Sequence, residues 1–438
     1  MDRLSGGLLP PMSGEFYQYV LAAVYHADGV WGEATFDLYA RRLPAGWGYM
    51  VAAGLDPLLH ALQRFKVGEE EAELLRKNPL FSHIKGSFFD HLKRLRFQGE
   101  VWAVPEGSIV FPGEPLLRIT APLTVCTLLE TTVIQLISSS SLVATRASRL
   151  TEAAGGKPVI DFGSRRWPDP WASTLAARAA YVGGMTATSN AYAATQLGIP
   201  VMGSMPDTFL AAYGEDQLAV KAFLHHFPKL CHLTLPQDEV EESIRRFLPF
   251  RAQIQSVRVD HRDLARGAAE ARAALDRVGL NEVKIMGSGD LEEVAIAKLV
   301  AAGAPIDWFA VGKALSEAQD RGRMAFRIAE MARGAEPVPV TREGSAPYPG
   351  VKQIYRFADR DMLGLEEEAW ELERRGGLPL LQPVMREGHR LGEPVPLAES
   401  RAHRQRSLQA LPSEYRSLEH PEPWRVGVTD RLAGLVGT

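Results

Sequence analysis

A chain of 438 residues is too long for one ordinary domain and implies two or three, or one barrel with an added layer. With 46% hydrophobic residues, 23% charged residues and a formal net charge of −4, it has the make-up of a globular protein and lacks the basic excess that general nucleic-acid or membrane-surface binding needs. No unbroken apolar run reaches the roughly eighteen residues of a membrane span, and Cys126 and Cys231 supply neither a disulfide framework nor a cysteine metal site.

The opening stretch MDRLSGGLLPPMSGEFYQ has no signal-peptide core or cleavage site, so a cytoplasmic setting is expected. Residues 1–130 mix short strands with helices. ATFDLYARRLP reads as a strand leading to a turn, and YMVAAGLDPLLHALQRF as an amphipathic helix. VWAVPEGSIVFPGEPLLRITAP, punctuated by Pro and Gly, reads as a small β unit. A long helix is expected from Leu123 to Ala153, stopped by Gly155-Gly156.

From residue 131 to 335 a regular rhythm is expected. Apolar strands recur at KPVIDF (157–162), IPVMGS (199–204), CHLTL (231–235), IQSVRVD (254–260), EVKIMGS (282–288) and IDWFAVG (306–312), with helical segments between most of them. One helix is expected to be capped by Asp290 with Glu293 three residues on. Such alternation implies parallel βα units and an α/β fold, an incomplete (β/α) barrel, whose chemistry gathers where strands end. Beyond 335, GAEPVPVTREGSAPYPG reads as a linker or long loop. Residues 336–438 lose the rhythm and are expected to rejoin the N-terminal part as a split α+β domain. Within them RAHRQR (401–406) reads as a solvated face.

The strand ends carry the candidate chemistry. In DFGSRR, Arg165 and Arg166 offer a cationic fork for carboxylate or phosphate, or else an ion pair with Asp161 or Asp169. Phe162 is placed to stack on a flat ring. Gly289 and Asp290 open a helix in a turn suited to phosphate, or serve only as a cap; Gly312 and Lys313 repeat the theme one strand later. In RVDHRD, Arg258 and Asp260 share one strand face, where the aspartate suits ribose hydroxyls, a magnesium ion held by pyrophosphate, or a plain ion pair; Asp263 fits a helix cap better. His225, His226 and His232 form no metal-ligand pattern and read as structural, so no protein-held metal site is expected.

Taken together, EFYQYVLAA, VWAVPEGSIVFPGEPLLRITAP, LLETTVIQLISSSSLVATRASR, DFGSRR, AAYVGGMTATSNAYAATQLGIPVMGS, VKIMGSGDLEE, GAPIDWFAVG, PGVKQIYR and LLQPVMREG resemble, in order and spacing, the nicotinate phosphoribosyltransferases, a family of type II phosphoribosyltransferases. The resemblance implies that nicotinate and phosphoribosyl pyrophosphate are joined to give nicotinate mononucleotide and pyrophosphate in NAD biosynthesis, with Mg2+ carried on the pyrophosphate. Alternatives are a transferase for another heterocyclic base and a non-catalytic binding paralogue. It implies that Tyr17 reaches a neighbouring subunit's site in a homodimer and stacks on the pyridine with Phe162. It further implies that Arg165 and Arg166 bind phosphates or the carboxylate, that Thr188 and Ser189 line the pyridine pocket, that Arg258 and Asp260 hold the ribosyl diphosphate, and that Gly289 and Gly312 cradle the 5-phosphate. The family's GTMAHSF loop, whose histidine ATP phosphorylates, reads GSMPDTF here. Asp207 therefore stands in the histidine's place, and loss of ATP coupling is the simpler implication. The family's DSGD reads DHRD, and its GTxLxTS reads GKALSEA.

Overall fold

Strand Glu33–Arg42 lies between Pro115–Pro122 and Arg323–Arg333, antiparallel to both. The chain, in a computed structural model that describes residues 14–235, 240–317, 322–334, 336–340 and 348–437, separates into two units. One is discontinuous, Met1–Leu142 with Asp320–Thr438; the other is Val143–Gln319.

In the discontinuous unit a seven-stranded antiparallel sheet joins both ends of the sequence. Gln382–Arg386 pairs with Glu100–Ala103 at one side, and Glu336–Pro339 pairs with Arg323–Arg333 at the other. The return to this unit comes at residue 320 rather than 336, because Arg323–Arg333 already pairs with Glu33–Arg42. Part of the expected linker is thus a strand; 341–347 lie outside the described residues. A fully buried ion pair, Lys352 Nζ to Asp37 Oδ2 at 2.6 Å, joins the middle of this sheet to strand Lys352–Arg356. A charge buried this deeply is tolerable only with its partner present. The helix Leu55–Gln63 is shorter than expected, since Met50–Val51 is a strand. RAHRQR is not a solvated face: Arg404 is buried, and His403 Nε2 lies 3.0 Å from Ser108 Oγ.

Helix Leu123–Ala153 is continuous, so the division at 142 falls inside it rather than at 130. It is long and apolar enough to cross a membrane, but 61% of its most apolar window is buried within the protein, the position of a core helix.

In the second unit β1 (Val159–Asp161), β2 (Ala187–Thr188), β3 (Cys231–Leu235), β4 (Ile254–Asp260), β5 (Lys284–Ser288) and β6 (Trp308–Val311) form one all-parallel sheet in the order β2-β1-β6-β5-β4-β3. Alternation along each strand turns Ile160, Ala187, Met286 and Ala310 to a common apolar core, with Phe162, Met202 and Trp308 packed against it. The expected strand 199–204 is an irregular segment with one bridge, Thr188 to Val201. It nevertheless closes the gap in the sheet: Thr188 N–H donates to Pro200 O at 2.9 Å, and Met205 N–H donates to His232 O at 3.0 Å. The result is a curled parallel sheet, an incomplete barrel whose open side this segment fills.

Candidate active site at the carboxyl ends of the barrel strands

The carboxyl ends and following loops of β1, β2, β4, β5 and β6 line one pocket of about 480 Å³. β1 contributes Phe162, Ser164, Arg165 and Arg166; the turn after β2 gives Ser189; β4 gives Arg258 and Asp260; β5 gives Ser288, Gly289 and Asp290; β6 gives Ala310, Gly312 and Lys313. Gly203, Ser204 and Pro206 line it from the irregular segment. Ten of the thirteen residues singled out in the sequence therefore meet here: Phe162, Arg165, Arg166, Ser189, Arg258, Asp260, Gly289, Asp290, Gly312 and Lys313.

Strand alternation explains which side chains enter. Phe162 and Ser189 stand two residues beyond the core-facing Ile160 and Ala187, so they face the pocket. The residues between them, Asp161 and Thr188, are opposite one another in register and face away. Thr188 is thus not a lining residue. The residue is 1% exposed, its hydroxyl donates to Asp161 Oδ2 at 2.7 Å, and Gly163 N–H donates to Asp161 Oδ1 at 2.7 Å. Burial pushes the Asp161 carboxyl above its ordinary value, against the pull of these two donors. In this way Asp161 holds together the two loops that carry Phe162 and Ser189.

Two of the glycines are needed for close approach. A Cβ on Gly312 would stand 2.9 Å from the Phe162 carbonyl oxygen, and one on Gly163 would stand 3.0 Å from Asp161 Oδ1. Gly289 has φ +130, a conformation that other residues rarely adopt.

The pocket's charges are four cations against two carboxylates. Lys313 Nζ pairs with Asp290 Oδ2 at 3.2 Å, so Asp290 is not the helix cap; that position falls to Glu292. Arg166 lies 3.7 Å from Glu317. Arg165 has no ion-pair partner among the described residues. Asp161 is already taken, and Asp169 caps helix Pro170–Val182 by accepting from Trp171 and Ala172 N–H. Asp263 caps Leu264–Arg277 by accepting from Arg266 N–H, which leaves Asp260 free to face the pocket.

Arg258 is held at every nitrogen. Nε donates to Ser288 Oγ at 2.8 Å, Nη1 to Ser204 Oγ at 3.3 Å and Nη2 to Asp260 Oδ2 at 3.2 Å, while the guanidinium lies 5.9 Å from the Phe162 ring centroid. Ser164, Ser204 and Ser288 were not marked from the sequence, although all three lie inside clusters that were; their roles depend on which strands are neighbours.

Tyr17 belongs to the discontinuous unit, where it is 45% exposed and its hydroxyl donates to Glu130 Oε2 at 3.0 Å. Asp207 is the first residue of helix Asp207–Tyr213, next to the lining Pro206; its side chain lies outside the described residues. His232 is buried, with Nδ1 2.8 Å from Ser256 Oγ, and desolvation lowers its pKa, as befits a structural residue.

A parallel, incomplete barrel with four cations and two carboxylates in a pocket at its strand ends defines a class of enzyme scaffold, and comparison with known proteins narrows it. A model of the nicotinate phosphoribosyltransferase N-terminal domain matches residues 12–138, and one of the nicotinate phosphoribosyltransferase C-terminal domain matches 366–436. A nicotinate phosphoribosyltransferase of Mycobacterium tuberculosis is 35% identical over 427 residues, covering 96% of this chain and 92% of the relative. The crystal structure of human nicotinic acid phosphoribosyltransferase superposes with a TM-score of 0.81 at 27% identity, covering 97% of this chain and 99% of that one. A nicotinate-nucleotide pyrophosphorylase from Pyrococcus furiosus, at 24% identity and TM-score 0.73 over 93% and 96% of the two chains, shares the fold. The chain belongs to the nicotinate phosphoribosyltransferase family.

Proposed function

We propose that this enzyme joins nicotinate to phosphoribosyl pyrophosphate, giving nicotinate mononucleotide and pyrophosphate in NAD biosynthesis. The observation that carries the reading is the pocket itself: a cationic cluster around one aromatic ring, with glycine turns on the adjacent strands β5 and β6, in a chain of this family. The pyridine nitrogen attacks C1 of the ribose, the new N–C bond forms, and the C1–O bond to pyrophosphate breaks with its electron pair leaving on the diphosphate. No proton needs to be moved to start this, so the protein's work is placement and charge stabilisation. Phe162 supplies a stacking face, the arginines hold the anionic groups, Asp260 faces the ribosyl diphosphate, and the turns at Gly289 and Gly312 with Lys313 receive the 5-phosphate. Asp260 and Asp290 would offer hard oxygen donors to a magnesium ion carried on the diphosphate, which would offset leaving-group charge.

Asp207 in place of the phosphorylated histidine supports turnover that ATP does not drive. Homodimer formation is supported by the helix Phe16–Asp28, whose Tyr17, Val20, Leu21 and Val24 form an exposed apolar face opposite the buried Tyr19, Ala22 and Ala23. Two free, buried cysteines suit a reducing cytoplasm. The test is incubation of the purified protein with nicotinate, phosphoribosyl pyrophosphate and Mg2+, with the nucleotide product measured by chromatography. Nicotinate mononucleotide is expected; its absence at enzyme concentrations near those of substrate overturns the reading.

A further inference from the structure

We propose that Ser288 and Ser204 are positioning residues that fix the guanidinium of Arg258 for catalysis. This inference rests on the transferase reading above. Arginine carries five N–H donors. Ser288, Ser204 and Asp260 accept one from each nitrogen of Arg258, which leaves two, one on each Nη, to grip an anionic substrate group. A long arginine side chain held by one carboxylate can swing about that contact; held at all three nitrogens, its plane is fixed. Ser288 is itself rigid. It is 4% exposed, sits at the end of β5 in register with Asp260 of β4, and lies 3.4 Å from the Val259 carbonyl oxygen. Ser204 reaches the same guanidinium from the irregular segment that closes the barrel. Hydroxyl acceptors suit this task for an electrostatic reason: they orient the cation without cancelling its charge, as two further carboxylates would. The ordering is in place before substrate arrives, so substrate binding does not bear its entropy cost.

The test uses Ser288→Ala, Ser204→Ala and the conservative Ser288→Thr and Ser204→Thr in the full-length protein, each also combined with Arg258→Ala. Each alanine variant is expected to lower kcat/KM by about ten-fold, the effect of one lost charge-assisted hydrogen bond. Thermal melting is expected to stay close to the parent. Threonine at either position is expected to restore most of the rate, and in the Arg258→Ala background the serine changes are expected to add nothing further. Unchanged kcat/KM in both alanine variants, or an equal loss with and without Arg258, overturns the proposal. Should the parent protein release no pyrophosphate from nicotinate, the transferase reading falls. The positioning role is then decided by calorimetric titration with inorganic pyrophosphate, where about ten-fold weaker binding in the alanine variants supports it and equal binding refutes it.

Discussion

The hydroxyl of Thr188 and the carboxylate of Asp161 meet at 2.7 Å behind the pocket, across paired positions of neighbouring parallel strands. This contact joins the loop bearing Phe162 to the turn bearing Ser189, so a residue that the resemblance placed against substrate acts one layer behind it. Thr188→Val keeps the shape and removes the donor. The variant is expected to lose about 1–3 kcal/mol. The folded pKa of Asp161 is raised, so its protonated form is favoured in the fold, and native stability falls as pH rises from the ordinary carboxylate value through the raised one. Loss of the Thr188 donor harms the ionised form more than the protonated one. The difference between parent and variant should therefore be larger above that window than below it, as denaturant melts at several pH values will show.

Arg165 is the pocket cation without an ion-pair partner among the described residues, so its replacement breaks no structural pair. Arg165→Ala is expected to melt within about 0.5 kcal/mol of the parent while losing roughly a hundred-fold in kcat/KM. An unchanged rate in steady-state assays removes Arg165 from the site.

Gly312→Ala places a methyl group 2.9 Å from the Phe162 carbonyl oxygen, a backbone atom that cannot swing aside. The β1 and β6 loops must then part. A loss of about 1–3 kcal/mol and a raised KM for phosphoribosyl pyrophosphate are expected, read from melting curves and initial rates. Gly303→Ala, at a positive-φ glycine with open space around it, serves as the control for backbone strain alone.

In the discontinuous unit, Glu114 is fully buried, and desolvation together with the neighbouring Asp361 carboxylate raises its pKa well above the ordinary value. Asp361 itself is held by Arg356 through two hydrogen bonds of 3.0 and 2.6 Å. The fold therefore favours the protonated form of Glu114 relative to the unfolded chain. Stability is lost as pH rises through the raised pKa. Glu114→Gln, a permanently neutral mimic, is expected to match the parent at acid pH and to exceed it in stability as pH rises. A constant difference across pH contradicts this.

Sequence periodicity carried most of the barrel. CHLTL and IQSVRVD are strands over the residues expected, because buried parallel strands are short apolar runs bounded by polar ends. IPVMGS has the same look but is irregular, since hydrogen bonds from two different neighbours hold it and no ladder can form. The two-residue strand Ala187–Thr188 was hidden for the opposite reason: it is too short to show a period. The candidate site was legible as clusters at strand ends. What the linear order could not give was which face each residue occupies and which strands adjoin. Those facts turned Thr188 away from the pocket, paired Asp290 with Lys313 rather than with a helix end, and brought Ser204 and Ser288 onto Arg258. RAHRQR misled because charge counted along a helix does not reveal that Arg404 is buried.

The most direct test of the central claim is pyrophosphate release by the purified protein with nicotinate, phosphoribosyl pyrophosphate and Mg2+, measured with and without ATP. The account predicts nicotinate-dependent release that ATP leaves unchanged, the outcome that follows from the proposed placement of Asp207 at the position of the phosphorylated histidine. No release under either condition would contradict the transferase assignment, and release that depends on ATP would contradict the loss of energy coupling.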